Sequence, residues 1–302
     1  MNSKGLLLVF STAVISGFSI FINKYSVSVI DPYIFTFLKN VFVAAGLMGL
    51  ILIFKDWKIL KRLAKKQWLL LLTIGIIGGG IPFLLFFKGL SLTSAAQGSF
   101  IHKTMFVYVT ILAIIFLKEK IGKGFLIGAL LLLLGNLIYL KALPISLGRG
   151  DLLVLLATFL WAIENVISKY ALKDLPARIV AWGRMFFGSI FILAYLGFIG
   201  QLNSIGNLNA HQIGWTLLTG GLLFGYVFTW YSGLKYVPVS VATAILIFGS
   251  SITTWLSLAS SGKIIPEKLL ASGLILIGLI FVINLKSLLK GLNQTGEIYE
   301  RS

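Results

Sequence analysis

Apolar residues along this chain fall into ten long runs separated by short polar connections. The runs are 5–25, 32–54, 68–90, 92–117 and 122–140, then 152–171, 177–198, 212–234, 239–259 and 268–286. Each approaches the roughly 20 apolar residues that a helix needs to cross a bilayer core. The connections are short. Only Lys55–Gln67, Lys141–Asp151 and Gly200–His211 exceed ten residues, which leaves no room for a soluble domain. Lys4 and the run after it have the look of a signal peptide, but the run is long enough to span and a second follows at once. It is read as the first helix. The pattern predicts an all-α membrane protein with ten transmembrane helices.

The polar positions that interrupt the runs recur in the same order in each half. Asn23-Lys24-Tyr25 closes helix 1 and Ser168-Lys169-Tyr170 closes helix 6, with the lysines 145 positions apart. Pro32 opens helix 2 with Lys39 seven residues on, and Pro176 opens helix 7 with Arg184 eight residues on. Gly75 and Gly79 match Gly221 and Gly225, and Lys88-Gly89-Leu90 matches Ser232-Gly233-Leu234. Glu119-Lys120 and Glu267-Lys268 mark the fourth-to-fifth connection of each half. The landmarks divide the chain into five-helix halves, 1–145 and 146–302. An odd number of helices per repeat forces the halves into opposite orientations, a construction that recurs in secondary transporters with the substrate site at the midplane.

Composition agrees. Apolar residues make up 58% of 302 positions and charged residues 12%, against about 25% charged in a soluble domain; the mean hydropathy is +0.99. A net charge of +17 invites a nucleic-acid reading. The basic residues are instead spread through short loops, with no basic domain, and this follows the positive-inside rule. With the N-terminus in the cytoplasm, sixteen of the 26 lysines and arginines fall on the cytoplasmic side, four on the other, and six within or at the ends of spans. Both termini are therefore expected in the cytoplasm, with the lipid bilayer as the main partner and no nucleic acid. The absence of cysteine excludes disulfides, thiolate metal sites and cysteine nucleophiles.

The order of landmarks resembles the drug/metabolite transporter superfamily, specifically its ten-helix EamA-type members, over nearly the whole chain. Asn23-Lys24, Lys169-Tyr170, the Lys88-Gly89-Leu90 and Gly233-Leu234 helix ends, and the Glu119 and Glu267 connections carry it. The resemblance implies a cavity lined mainly by helices 1–4 and 6–9, with helices 5 and 10 peripheral. It also implies a small-molecule substrate such as an amino acid, exported without a cofactor or metal. One departure is the lack of the proline often found in the fourth helix of a repeat: neither 92–117 nor 239–259 has one.

Several polar residues lie deep in the runs. Glu164 is the only carboxylate deep in any span, and an ionised acid there must pair, protonate or face water. Trp161, Glu164, Asn165 and Ser168 share one helix face. Glu164 is expected either to bind a substrate amine or a proton, which would couple transport to protons, or to form a structural pair with Lys103 or Arg184. In helix 4, Lys103 with Ser99 one turn earlier, and His102 beside it, are candidates for the path. Lys39 and Arg184 are matching cations suited to gates or a carboxylate clamp. Lys24, Lys88 and Lys169 sit at helix ends, where snorkelling would account for them. The segment Gly78-Gly79-Gly80-Ile81-Pro82 is the strongest backbone break in any span. Gly128, Gly135, Gly273 and Gly278 would let helices 5 and 10 pack closely, with a homodimer interface as one use.

Intramembrane catalysis is poorly supplied. Gly17-Phe18-Ser19 is a weak serine motif, His102 is the only histidine available as a base in a span, and aspartyl chemistry needs a second deep carboxylate. A passive uniporter or channel uses the same residue types and stays open at this point.

Overall fold

A computed structural model describes residues 2–141, 148–261 and 266–283. The first half holds α1 (Ser3–Val29), α2 (Pro32–Ile53), α3 (Lys65–Leu92), α4 (Ala95–Leu117) and α5 (Lys123–Lys141). The second holds α6 (Arg149–Ala171), α7 (Ala177–Phe198), α8 (Ala210–Leu234), α9 (Val239–Ser260) and α10 (Pro266–Ile283). Among the described residues nine of these are long and apolar enough to cross a membrane. The apolar stretch of α5, Lys123–Tyr139, is shorter. The chain is thus an all-α, multi-pass membrane protein. The part of the last predicted run beyond Ile283, the polar tail and residues 142–147 lie outside the described residues.

Local chemistry fixes the helix ends. Asn2, Asp31, Ser94 and Asn209 each accept a backbone amide from the first turn of the helix they precede. Lys24 and Lys169, expected to snorkel, instead reach across to neighbouring helices. Lys24 Nζ donates to the carbonyls of Leu90 and Ser91 at 3.0 and 3.2 Å, at the end of α3. Lys169 Nζ donates to those of Leu234 and Val237 at 2.6 and 2.8 Å, at the end of α8. A helix leaves its last carbonyls without partners and its dipole favours a cation there, so these bonds are worth more than solvation at the interface. Glu119 takes the complementary task at the start of α9, accepting the Val239 amide at 2.7 Å and the Ser240 amide at 3.3 Å. Glu267, its match in sequence, is exposed.

Three helices are interrupted. In α3 the residues Gly75–Gly80 form a π-helical turn before an ordinary helix resumes at Ile81. The helices α4 and α9 break without proline. At Thr104 the backbone amide and the hydroxyl both bond to the Ile101 carbonyl. Around Leu246 the amides of Ile247, Gly249 and Ser250 each turn back three residues. Such turns wind the backbone more tightly, with about three residues per turn, and redirect the helix.

The strongest packing joins one half of the chain to the other: α3 on α6 and α7, α1 on α8, α4 on α6, α2 on α7 and α5 on α10. The last contact is made through glycine. A Cβ on Gly128 would lie 2.6 Å from the Gly278 carbonyl, and one on Gly278 would lie 2.9 Å from that of Gly128. Gly135 faces Ala271 and Ile275 in the same way. These three glycines therefore serve packing inside one chain rather than between chains.

Candidate functional site

The site is organised by the break in α3. In a regular helix the Gly78 carbonyl would accept the amide of residue 82, but Pro82 has no N–H. The Gly78 carbonyl accepts two side chains instead: Trp161 Nε1 at 2.8 Å from α6 and Arg184 at 3.2 Å from α7. The next carbonyl, Gly79, accepts Asn40 Nδ2 from α2 at 2.7 Å. Gly79 also meets Gly188 of α7 backbone to backbone, and a Cβ on Gly79 would strike the Arg184 carbonyl. Small residues here let three helices converge on one interrupted segment.

Beyond the break, Phe83, Phe86 and Phe87 stand on one face of α3, and two buried cations rest on Phe83 and Phe87. Lys39 Nζ lies 4.3 Å from the Phe87 ring and 4.5 Å from that of Phe35, and donates to Asn23 Oδ1 at 2.7 Å. The Arg184 guanidinium lies 5.4 Å from the Phe83 ring. Phe83 and Phe87 are themselves stacked at 5.8 Å. Aromatic faces offer a desolvated cation a partial substitute for water. Trp161 packs edge-on against Phe83 at 5.4 Å and His102 at 5.1 Å.

These residues wall a central cavity. It is narrow, about 60 Å³ in volume. The lining comes from α1–α4 and α6–α8, and includes Lys39, His102, Trp161, Asn165 and Arg184. The helix α9, expected at the wall, lies behind it: Thr253 bonds to the Gly17 carbonyl, and Ser99 bonds to Thr253. Among the described residues, neither α5 nor α10 contributes to the lining.

Three of the residues singled out from sequence lie outside the lining. Ser99 faces α9. Lys103 Nζ donates to Ser16 Oγ at 2.6 Å and not to Glu164. Glu164 is fully buried, its Oε1 accepting the hydroxyls of Ser168 and Tyr231. Its Oε2 has no bonded partner. The structural alternative, an ion pair between Glu164 and Lys103 or Arg184, does not form. Among the described residues the ion pair present is Arg178–Asp56, 2.6 Å, which ties the start of α7 to the connection after α2. Glu164 and Arg184 do come near one another at Gly78, where a Cβ would meet Glu164 Cδ at 2.8 Å and Arg184 Nε at 3.2 Å. They lie close together beside Gly78, without a hydrogen bond between them.

The EamA-like transporter family profile matches residues 3–141 and again residues 148–284. The chain belongs to the EamA-like transporter family. It is 26% identical over 283 residues to the uncharacterized transporter YyaM of Bacillus subtilis, covering 87% of this chain and 90% of that protein. It is 28% identical over 254 residues to the uncharacterized transporter YoaV of the same organism, covering 81% and 84%. It is also 25% identical over 208 residues to the uncharacterized inner membrane transporter YhbE of Escherichia coli, covering 66% and 65%. A crystal structure at 18% identity superposes with a TM-score of 0.76 over 96% of this chain and 99% of its own, which shows the shared fold. This EamA-like chain is therefore a membrane transporter.

Proposed function

We propose that the protein is a secondary transporter that carries a small amphipathic metabolite through the central cavity by alternating access. The observation that carries this reading is the cavity itself, an aromatic-walled space with buried cations placed where the two halves of the chain meet. The helix pairing supports two inverted repeats, 1–145 and 146–302. Exchanging the halves turns the α1–α8 contact into α6–α3, and it turns the Lys24 cap on α3 into the Lys169 cap on α8. Two such halves can rock about a site held between them. Export is the direction that the family resemblance favours.

The cavity can be tested before any substrate is known. Ser19 lines it, and the native chain has no cysteine. In sealed vesicles of both orientations, Ser19→Cys should react with a membrane-impermeant thiol reagent from either face. Reaction from one face only would take the cavity off a transmembrane path.

We place the connection carrying Lys61 in the cytoplasm and the one carrying Asn207 outside. Both residues are exposed. Single cysteines at these positions should label from opposite sides of the membrane, and labelling from the same side would contradict this topology.

A further inference from the structure

The balance of charge in the buried core is uneven. Lys39, Lys103 and Arg184 are 1%, 1% and 4% exposed, deep in α2, α4 and α7. Glu164 is the one carboxylate buried at comparable depth among the described residues. The other buried acids sit near helix ends and are occupied: Asp56 with Arg178, and Asp151 with Thr93 and the Gly148 amide. Two of the three cations, Lys39 and Arg184, line the cavity, and among the described residues no aspartate or glutamate does.

The polar contacts of these two groups have a common direction. Lys39 bonds to a neutral amide and rests on two phenyl faces, with no carboxylate bonded to it. Arg184 Nε is buried at the wall without a hydrogen-bond partner. His102 Nδ1, also at the wall, has none either. Burying cations without counter-charge is expensive, and the expense falls when an anion enters. Glu164 offsets Arg184 across Gly78, but it does not reach Lys39. Around the cations, the rings of Phe83, Phe86, Trp161 and Trp230 supply a flat apolar surface.

Resting on the transporter reading above, we infer that the solute is an organic anion. A carboxylate or similar oxyanion lies between Lys39 and Arg184, and a flat apolar body lies on the aromatic wall. Arginine can hold a carboxylate through two parallel bonds, and lysine adds a point charge. A free ammonium on the solute has no acceptor of opposite charge in the lining, so amines and zwitterions are the poorer ligands. This departs from the expectation of amino acids, which came from the family resemblance and which Glu164 facing the cavity would have supported.

The test uses three probes of one shape on the full-length protein in nanodiscs and proteoliposomes: phenylacetate, phenylacetamide and phenethylamine. Phenylacetate should bind at least about tenfold more tightly than the other two, the difference that one charge-assisted contact supplies. Lys39→Gln should abolish that preference. Arg184→Lys, which keeps the charge and loses the fork, should retain part of it. Equal binding of acid and amide, tighter binding of the amine, or no binding of phenylacetate by the native protein overturns the inference without reference to any variant. The transport reading fails separately. Selective phenylacetate binding with no movement of solute would leave the anion site standing and remove the carrier, whereas movement of the amine alone would do the reverse.

Discussion

Replacing Glu164 with glutamine should leave the protein folded and stop accumulation of solute driven by a pH gradient. Glutamine keeps an acceptor oxygen for the Ser168 and Tyr231 hydroxyls, which both bond to Oε1 in the native protein. The loss in stability should be about 1 kcal/mol, the difference between a charged and a neutral acceptor for such bonds. What the substitution removes is the only deep carboxylate among the described residues, a charge close to Arg184. We propose that Glu164, buried behind the cavity wall and close to Arg184 beside Gly78, is the group that takes up and releases a coupling proton. Glu164→Gln should therefore show no response to an imposed pH gradient in loaded proteoliposomes. Gradient-driven accumulation equal to that of the native protein would remove Glu164 from the mechanism. A large fall in melting temperature would assign it to structure.

Pro82→Ala should affect stability and transport in opposite directions. Alanine restores an N–H one turn beyond Gly78, and one added backbone bond is worth about 1 kcal/mol. The melting temperature should hold or rise. That amide, however, competes for the carbonyl on which Trp161 and Arg184 are anchored. Both side chains would lose the contact that sets them at the wall, and transport should fall about tenfold or more, as expected when positioning is lost. Reduced stability with full transport would mean that the break serves packing alone.

The span pattern was legible in the sequence because a bilayer demands long apolar runs, and helix ends fell within a few residues of the run boundaries. Lys39, His102, Trp161, Asn165 and Arg184 could be marked as candidates because polar or amphipathic groups are costly at such depth. Their partners could not be read. Whether Glu164 faces the cavity depends on a rotation of α6 of less than one residue's angle, and the 3.6-residue repeat leaves that open. Pairing across the core is likewise set by helix contacts, so Lys103 could not be assigned to Ser16. The stripe Phe83, Phe86 and Phe87 has helical spacing just after the break, yet it was hidden among 23 phenylalanines in apolar runs. The breaks in α4 and α9 carry no proline signal, since three-residue turns at Thr104 and Leu246 do that work.

The central claim, a carrier whose cavity holds the solute, is tested most directly by counterflow. Proteoliposomes are preloaded with a high concentration of the unlabelled solute that a vesicle screen identifies, then diluted into a trace of the labelled compound. A carrier with one alternating site should draw label inward to a transient peak well above equilibrium, and Lys39→Gln should reduce that peak. Label that rises only to equilibrium, at a rate indifferent to the preload, is the behaviour of a pore and would contradict the account.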